Sequence, residues 1–235
     1  MDRTAGVAHV AERDPGLPPL LLAFTVTTGM IDAVSVLGLG RVFTANMTGN
    51  IVFLGFALAG VAEFSARRSL AALGTFIVGA VVGGSLGVRL DANRRRWLLV
   101  VAVIEAAILS AAALAAGGYD SARLAPVERL SALIGLTAFA MGIRNATARR
   151  LAVPDLTTTV LTLTLTGLGA DSSLAGGTNP RWRRRVASVA AMLLGAIIGA
   201  FLVRSVGLVW PLALIGAITL VATLAYVLGP SAARS

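Results

Sequence analysis

The sequence predicts an all-α fold, a polytopic helical membrane protein built from two internal repeats. Three observations predict it. The chain is 57% hydrophobic and 13% charged, with mean hydropathy +0.85, which is too apolar for a soluble domain of 235 residues. Apolar windows close to the roughly 20 residues needed to cross a bilayer recur along nearly its whole length. Several features of the first half also return, in the same order, in the second.

Along the chain, residues 1–16 form a polar N-terminal tail carrying Asp2, Arg3, His9, Glu12, Arg13 and Asp14. No short apolar core with a small-residue cleavage site stands there, so the first apolar segment is expected to remain in the protein. Eight apolar segments follow, near Leu17–Leu37, Val42–Val61, Ser69–Leu90, Trp97–Ala116, Leu130–Ala148, Asp155–Ala170, Val186–Val203 and Val206–Leu228. Their Ala, Leu, Val and Gly content favours closely packed helices. The two longest connections, Gly117–Arg129 and Asp171–Arg185, are rich in Gly, Pro, Ser or Arg, as surface loops are. Residues 229–235 form a short C-terminal tail.

Gly29, Asp32 and Ala33 recur as Gly142, Asn145 and Ala146 at a spacing of 113 residues, which also carries Thr44 onto Thr157. Gly79-Ala80 and Gly83 recur as Gly195-Ala196 and Gly199 at a spacing of 116. Arginines precede both of these later segments, at Arg67-Arg68 and Arg183-Arg184-Arg185. The expected organisation is a first membrane repeat over 17–117 and a second over 124–228.

All twenty basic residues are arginine, and they gather in the connections beside apolar spans. That placement reads as membrane-flanking charge meeting lipid headgroups, so no nucleic-acid partner is expected from the net charge of +9. If all eight segments cross, the arginines divide eleven to nine between the two faces. If the second and sixth segments enter and leave on one face, the division is fourteen to six, with both termini on the arginine-rich side. The positive-inside rule favours the second arrangement, with cytoplasmic termini and inverted halves. Six crossings plus two broken segments, the second apolar segment broken at Gly49 and the sixth starting after Pro154, is thus the preferred expectation, and eight crossings its rival.

The polar blocks carry the functional expectation. Gly29–Asn50 embeds Asp32, Arg41, Asn46, Thr48 and Asn50 in apolar sequence, and Gly142–Gly167 is a degenerate second copy. Polar groups facing hydrocarbon without partners cost several kcal/mol, so inside membrane segments they face a bundle interior or a wet cavity. The Gly-x-x-Asp-Ala element at Gly29–Ala33, the Ala-Asn-Met-Thr-Gly-Asn element at Ala45–Asn50 and the Gly-x-Arg-Asn-Ala element at Gly142–Ala146 together resemble the YoaK-type family of bacterial membrane proteins. The resemblance covers essentially the whole chain. It implies a multi-pass protein of the bacterial inner membrane and brings no substrate, reaction or cofactor.

Asp32, Asn46, Thr48, Asn50, Arg144, Asn145, Thr157 and Thr159 are therefore the candidate substrate or ion ligands. An Asp32–Arg144 ion pair across the halves could be a coupling site or a packing pair. Asn46, Thr48 and Asn50 alternate, as do Thr162, Thr164 and Thr166, so each set shares a face if extended and scatters if helical. Glu105, isolated in the middle of its segment, is a proton-relay candidate or a hydrogen-bonded structural acid. Gly79, Gly83, Gly87, Gly195 and Gly199 form ridges that suit close helix packing. The chain has no cysteine, and His9 is its one histidine, which leaves no metal, thiol or disulfide chemistry to expect. The leading expectation is a non-enzymatic transporter or channel for a small polar or charged solute, with no cofactor. A membrane scaffold or lipid-organising protein, self-associating as a homodimer, is the alternative, and an intramembrane enzyme is weaker.

Overall fold

The computed structural model describes residues 14–90, 92–153 and 161–229. Among them it contains eight α-helices: α1 Leu17–Gly38, α2 Met47–Leu58, α3 Ala66–Leu90, α4 Arg94–Ala116, α5 Val127–Leu151, α6 Leu161–Ala170, α7 Trp182–Val206 and α8 Val209–Leu228. The fold is a polytopic all-α membrane bundle. Local chemistry explains several of the boundaries. Pro18 stands in the first turn of α1 and Pro211 in that of α8, where a missing N–H costs nothing. The Asn46 side chain caps α2, and that of Asn93 accepts the Arg96 N–H at 3.0 Å to cap α4. Ala152 ends α5 in the left-handed region, at φ 50°.

Five helices (α1, α3, α4, α7 and α8) are long and apolar enough to cross a membrane. With 25 residues, α5 is equally long but carries Glu128, Arg129, Arg144, Arg149 and Arg150. Helix α2 has 12 residues, an axial length of about 18 Å, short of the ~30 Å hydrocarbon core.

Glycine sets the packing. Helix α1 pairs with α7, α3 with α5, and α4 with α8. A Cβ on Gly29 would land on the Met192 carbonyl and 2.9 Å from the Ala196 nitrogen, and one on Gly195 would land on the Val26 carbonyl. The other pair repeats the pattern. Gly142 faces the Phe76 carbonyl and, at 2.8 Å, the Ala80 nitrogen, while Gly79 faces the Phe139 carbonyl. Added Cβ atoms at Gly83 and Gly199 would stand 2.8 Å from the Cα atoms of Ile143 and Met30. Both pairs therefore run parallel with backbones in contact, as small residues permit. The glycine ridges expected from the sequence are helix contacts.

Two apolar clusters mark the ends of the bundle. One joins Leu17, Leu20 and Leu21 of α1 to Trp97, Leu151, Val153 and Tyr226. Here Tyr226 donates to Asp14 at 2.7 Å, and Arg95 donates to the Val227 carbonyl at 2.8 Å. This is the tail end. The other cluster joins Val34, Leu39, Val42 and Ala45 to Ala72, Ala116, Leu130 and Leu208. This is the hairpin end, named for the turn between α4 and α5, where Asp120 and Ala125 form an isolated bridge.

The chain from Gly38 to Ala66 leaves and returns at the hairpin end. Arg41 and Glu63 approach to 3.9 Å, and Gly40, at φ 77°, lies against Arg68 and Leu124. Between them a non-helical stretch descends over 39–46 and α2 returns. Phe43 stacks on Phe53 at 5.4 Å, and Phe53 packs on Phe64 at 4.7 Å, which ties the two limbs together. The break thus falls before Met47, whereas the sequence suggested Gly49. The chain between Leu151 and Trp182 leaves and returns at the tail end, where Arg185 donates to the Gly167 carbonyl at 2.5 Å and pairs with Asp171 at 2.8 Å.

Candidate functional site

Two polar assemblies lie in the interior. The first centres on Arg144, 1% exposed on α5. Its Nη1 donates to Thr27 Oγ1 at 2.7 Å, to Thr28 Oγ1 at 3.3 Å and to the Phe24 carbonyl at 3.3 Å. Its Nη2 donates to Thr219 Oγ1 at 2.7 Å and forms an ion pair with Glu105. The guanidinium also lies 5.2 Å from the Phe24 ring centroid. The three threonines can only accept from Arg144, because each hydroxyl donates to its own helix: Thr27 and Thr28 to the Phe24 carbonyl, Thr219 to that of Ile215. One side chain of α5 thereby binds α1, α4 and α8 at mid-height.

The expected Asp32–Arg144 pair gives way to Arg144–Glu105. Asp32 points instead toward the break between α1 and α2, where the backbone N–H groups of Ala45 and Asn46 lie against its carboxyl group. Glu105 is not isolated, since the fold supplies the cation that its own segment lacks.

The broken segment forms the second assembly. Asn46 Oδ1 accepts the Gly49 N–H at 3.4 Å as the cap of α2. Asn50, fully buried, accepts the Phe43 N–H at 2.9 Å and donates to the Phe43 carbonyl at 2.6 Å. It therefore supplies the hydrogen bonds that the non-helical Phe43 backbone cannot find in a helix. Thr48 is exposed. Asn46, Thr48 and Asn50 consequently scatter around a helix start and do not line one face. Thr162, Thr164 and Thr166 scatter likewise on α6, with only Thr164 buried.

On α5, Asn145 donates to the Met141 carbonyl at 2.8 Å, beside Arg144. Thr157 and Thr159 lie outside the described residues. Thr27, Thr28 and Thr219 are interior polar residues absent from the sequence-based candidates, and Thr44 figured there only as a repeat position. The one available signal was polar residues placed mid-segment, and threonine bonded to its own helix gives that signal only faintly.

At the hairpin end, the Tyr119 hydroxyl donates to the Gly38 carbonyl at 2.9 Å, pinning the last turn of α1. Burial pushes this phenol up to about 12, against the opposing influence of Arg68, so it stays protonated and able to donate.

The bundle and its buried polar assemblies define the class: a multi-pass helical membrane protein with charged groups in its interior. Over residues 20–225 the chain matches the model of a family described as "Protein of unknown function (DUF1275)", and it belongs to that family. It is also similar to the UPF0700 transmembrane protein YoaK of Bacillus subtilis (strain 168), with 36% identity over 154 residues, 66% of each chain. The match thus spans just under two thirds of that relative's length. No solved structure matches the chain.

Proposed function

We propose that this protein is a transporter or channel for a small polar or charged solute, built from two inverted repeats in the bacterial inner membrane. One observation carries the reading: the 39–65 segment breaks its helix inside the bundle and sets that break against the Asp32 carboxyl group. Non-helical backbone at membrane depth is tolerated where it is buried in protein or lines a solute path, and transport sites are built at such breaks. The second interrupted segment leaves from the opposite end. In each half, the first helix packs on the third helix of the other through corresponding glycines. Both features support inverted repeats whose relative movement gives alternating access.

The tail end carries Arg89, Arg94–Arg96, Arg149, Arg150 and Arg181–Arg185 except for Trp182, which supports placing it and both termini in the cytoplasm. Exposed apolar side chains such as Val81 of α3 and Phe201 of α7 suit contact with lipid. The protein is read as non-enzymatic. Glu105 is engaged by Arg144 and Asp32 by the 45–46 backbone, so the two carboxyl groups do not form an acid–base pair.

The test is flux in proteoliposomes against a panel of inorganic cations, inorganic anions, amino acids and polyols. Saturable flux of one class, abolished by Asp32→Asn with membrane insertion intact, is the expected result. Absence of flux across the panel favours a scaffold, which the saturation of the Arg144 Nη groups by core acceptors also suits.

A further inference from the structure

We propose that Asp32 and Thr44 are ligands of a monovalent-cation site at the helix break, with Na+ as its occupant. The proposal deepens the transport reading, on which it rests, by naming the coupling ion. Two buried oxygens in this region have no hydrogen-bond partner: Asp32 Oδ1 and Thr44 Oγ1. The backbone N–H groups of Ala45 and Asn46 lie against the Asp32 carboxyl group, and Thr44 directly precedes Ala45 in the same non-helical stretch.

Leaving two buried oxygens unengaged is costly, and a bound cation supplies what they lack. The chemistry selects the ion. The two unpartnered ligands are a carboxylate oxygen and a hydroxyl oxygen, hard donors that suit a hard cation. A single carboxylate balances one positive charge, whereas divalent sites gather several. Arg144 of α5, which reaches α1 one turn away at Thr28, is already held by Glu105 and three threonines and does not pair with Asp32. The corresponding residue of the other half is Asn145, a neutral amide, so the charge that would attract the ion belongs to the first half alone.

The position suits coupling. Asp32 precedes the end of α1 by six residues, about 9 Å of helix from the hairpin end. It also follows Thr28 by one turn on the same face, and Thr28 accepts from Arg144. An ion on Asp32 therefore bears on the helix face that holds the central cluster.

The experiment measures binding of radioactive sodium to the purified full chain in nanodiscs, with choline chloride holding ionic strength constant. The wild type and the Glu128→Gln control, changed at an exposed carboxylate, are expected to bind saturably. Asp32→Asn is expected to weaken binding about tenfold or more, and Thr44→Val several-fold. No saturable binding to the wild type, or binding unchanged in both variants, overturns the site. If Asp32→Asn does not elute as a folded protein, Thr44→Val decides alone. Sodium binding without flux would keep this site and remove transport. Flux that persists without sodium and is unaffected by Thr44→Val would do the reverse.

Discussion

Arg144 offers its four Nη hydrogens to a carboxylate, a carbonyl and three hydroxyls, all inside the bundle. Removing one member of such a pair leaves the other buried and uncompensated. Arg144→Met should therefore lower unfolding stability by about 3–5 kcal/mol, with Glu105→Leu similar. The double variant should recover much of that loss, because replacing both charges by apolar groups leaves nothing unpaired. A double-mutant cycle read by denaturant unfolding in detergent checks this, and additive losses would show that the pair is not coupled. Arg144 and Glu105 were both legible in the sequence as intramembrane charges, yet their pairing was not. The two residues lie 39 positions apart on helices whose contact depends on the whole bundle. Asp32 was the nearer choice by analogy between the halves, and its side chain is drawn instead to the amides of the broken segment.

At the scale of the helix, each glycine contact in the α1–α7 pair has a counterpart in the α3–α5 pair. Gly195→Leu should destabilise the bundle by at least about 1–3 kcal/mol, since the added side chain meets the Val26 backbone and backbone yields poorly. Gly74→Ala makes the contrast. No atom stands within 4 Å of a Cβ built there, so the gain in helix propensity should leave stability equal or higher by about 0.5–1 kcal/mol. Thermal unfolding of the two variants separates contact glycines from exposed ones. The glycine pattern was readable because backbone contact admits few other residues. The helix break was read a few residues late, at Gly49 rather than before Met47. A glycine looks like a breaker in sequence, while the actual break rests on two asparagines, Asn46 capping α2 and Asn50 holding Phe43.

For the whole molecule, the inverted architecture rests on how the two interrupted segments lie. The 39–65 segment closes on itself at the hairpin end through Arg41–Glu63 and the phenylalanine cluster, while 152–181 begins and ends at the tail end. Composition and arginine distribution foreshadowed that arrangement without separating it from eight crossings. Hydropathy registers a 12-residue helix and its descending limb as one continuous apolar stretch. The missing cysteines make the decisive measurement simple, because single cysteines enter an unreactive background. Cysteines at Ala62, Ala122, Asn93 and Ser173 should be labelled in intact cells with a membrane-impermeant thiol reagent, before and after permeabilisation. With the tail end cytoplasmic, Ala62 and Ala122 label from outside, and Asn93 and Ser173 label only once the membrane is opened. Three crossing helices, α3, α4 and α5, stand between Ala62 and Ser173, so labelling of both on the same face would mean that the second interrupted segment also crosses, and would contradict the inverted architecture.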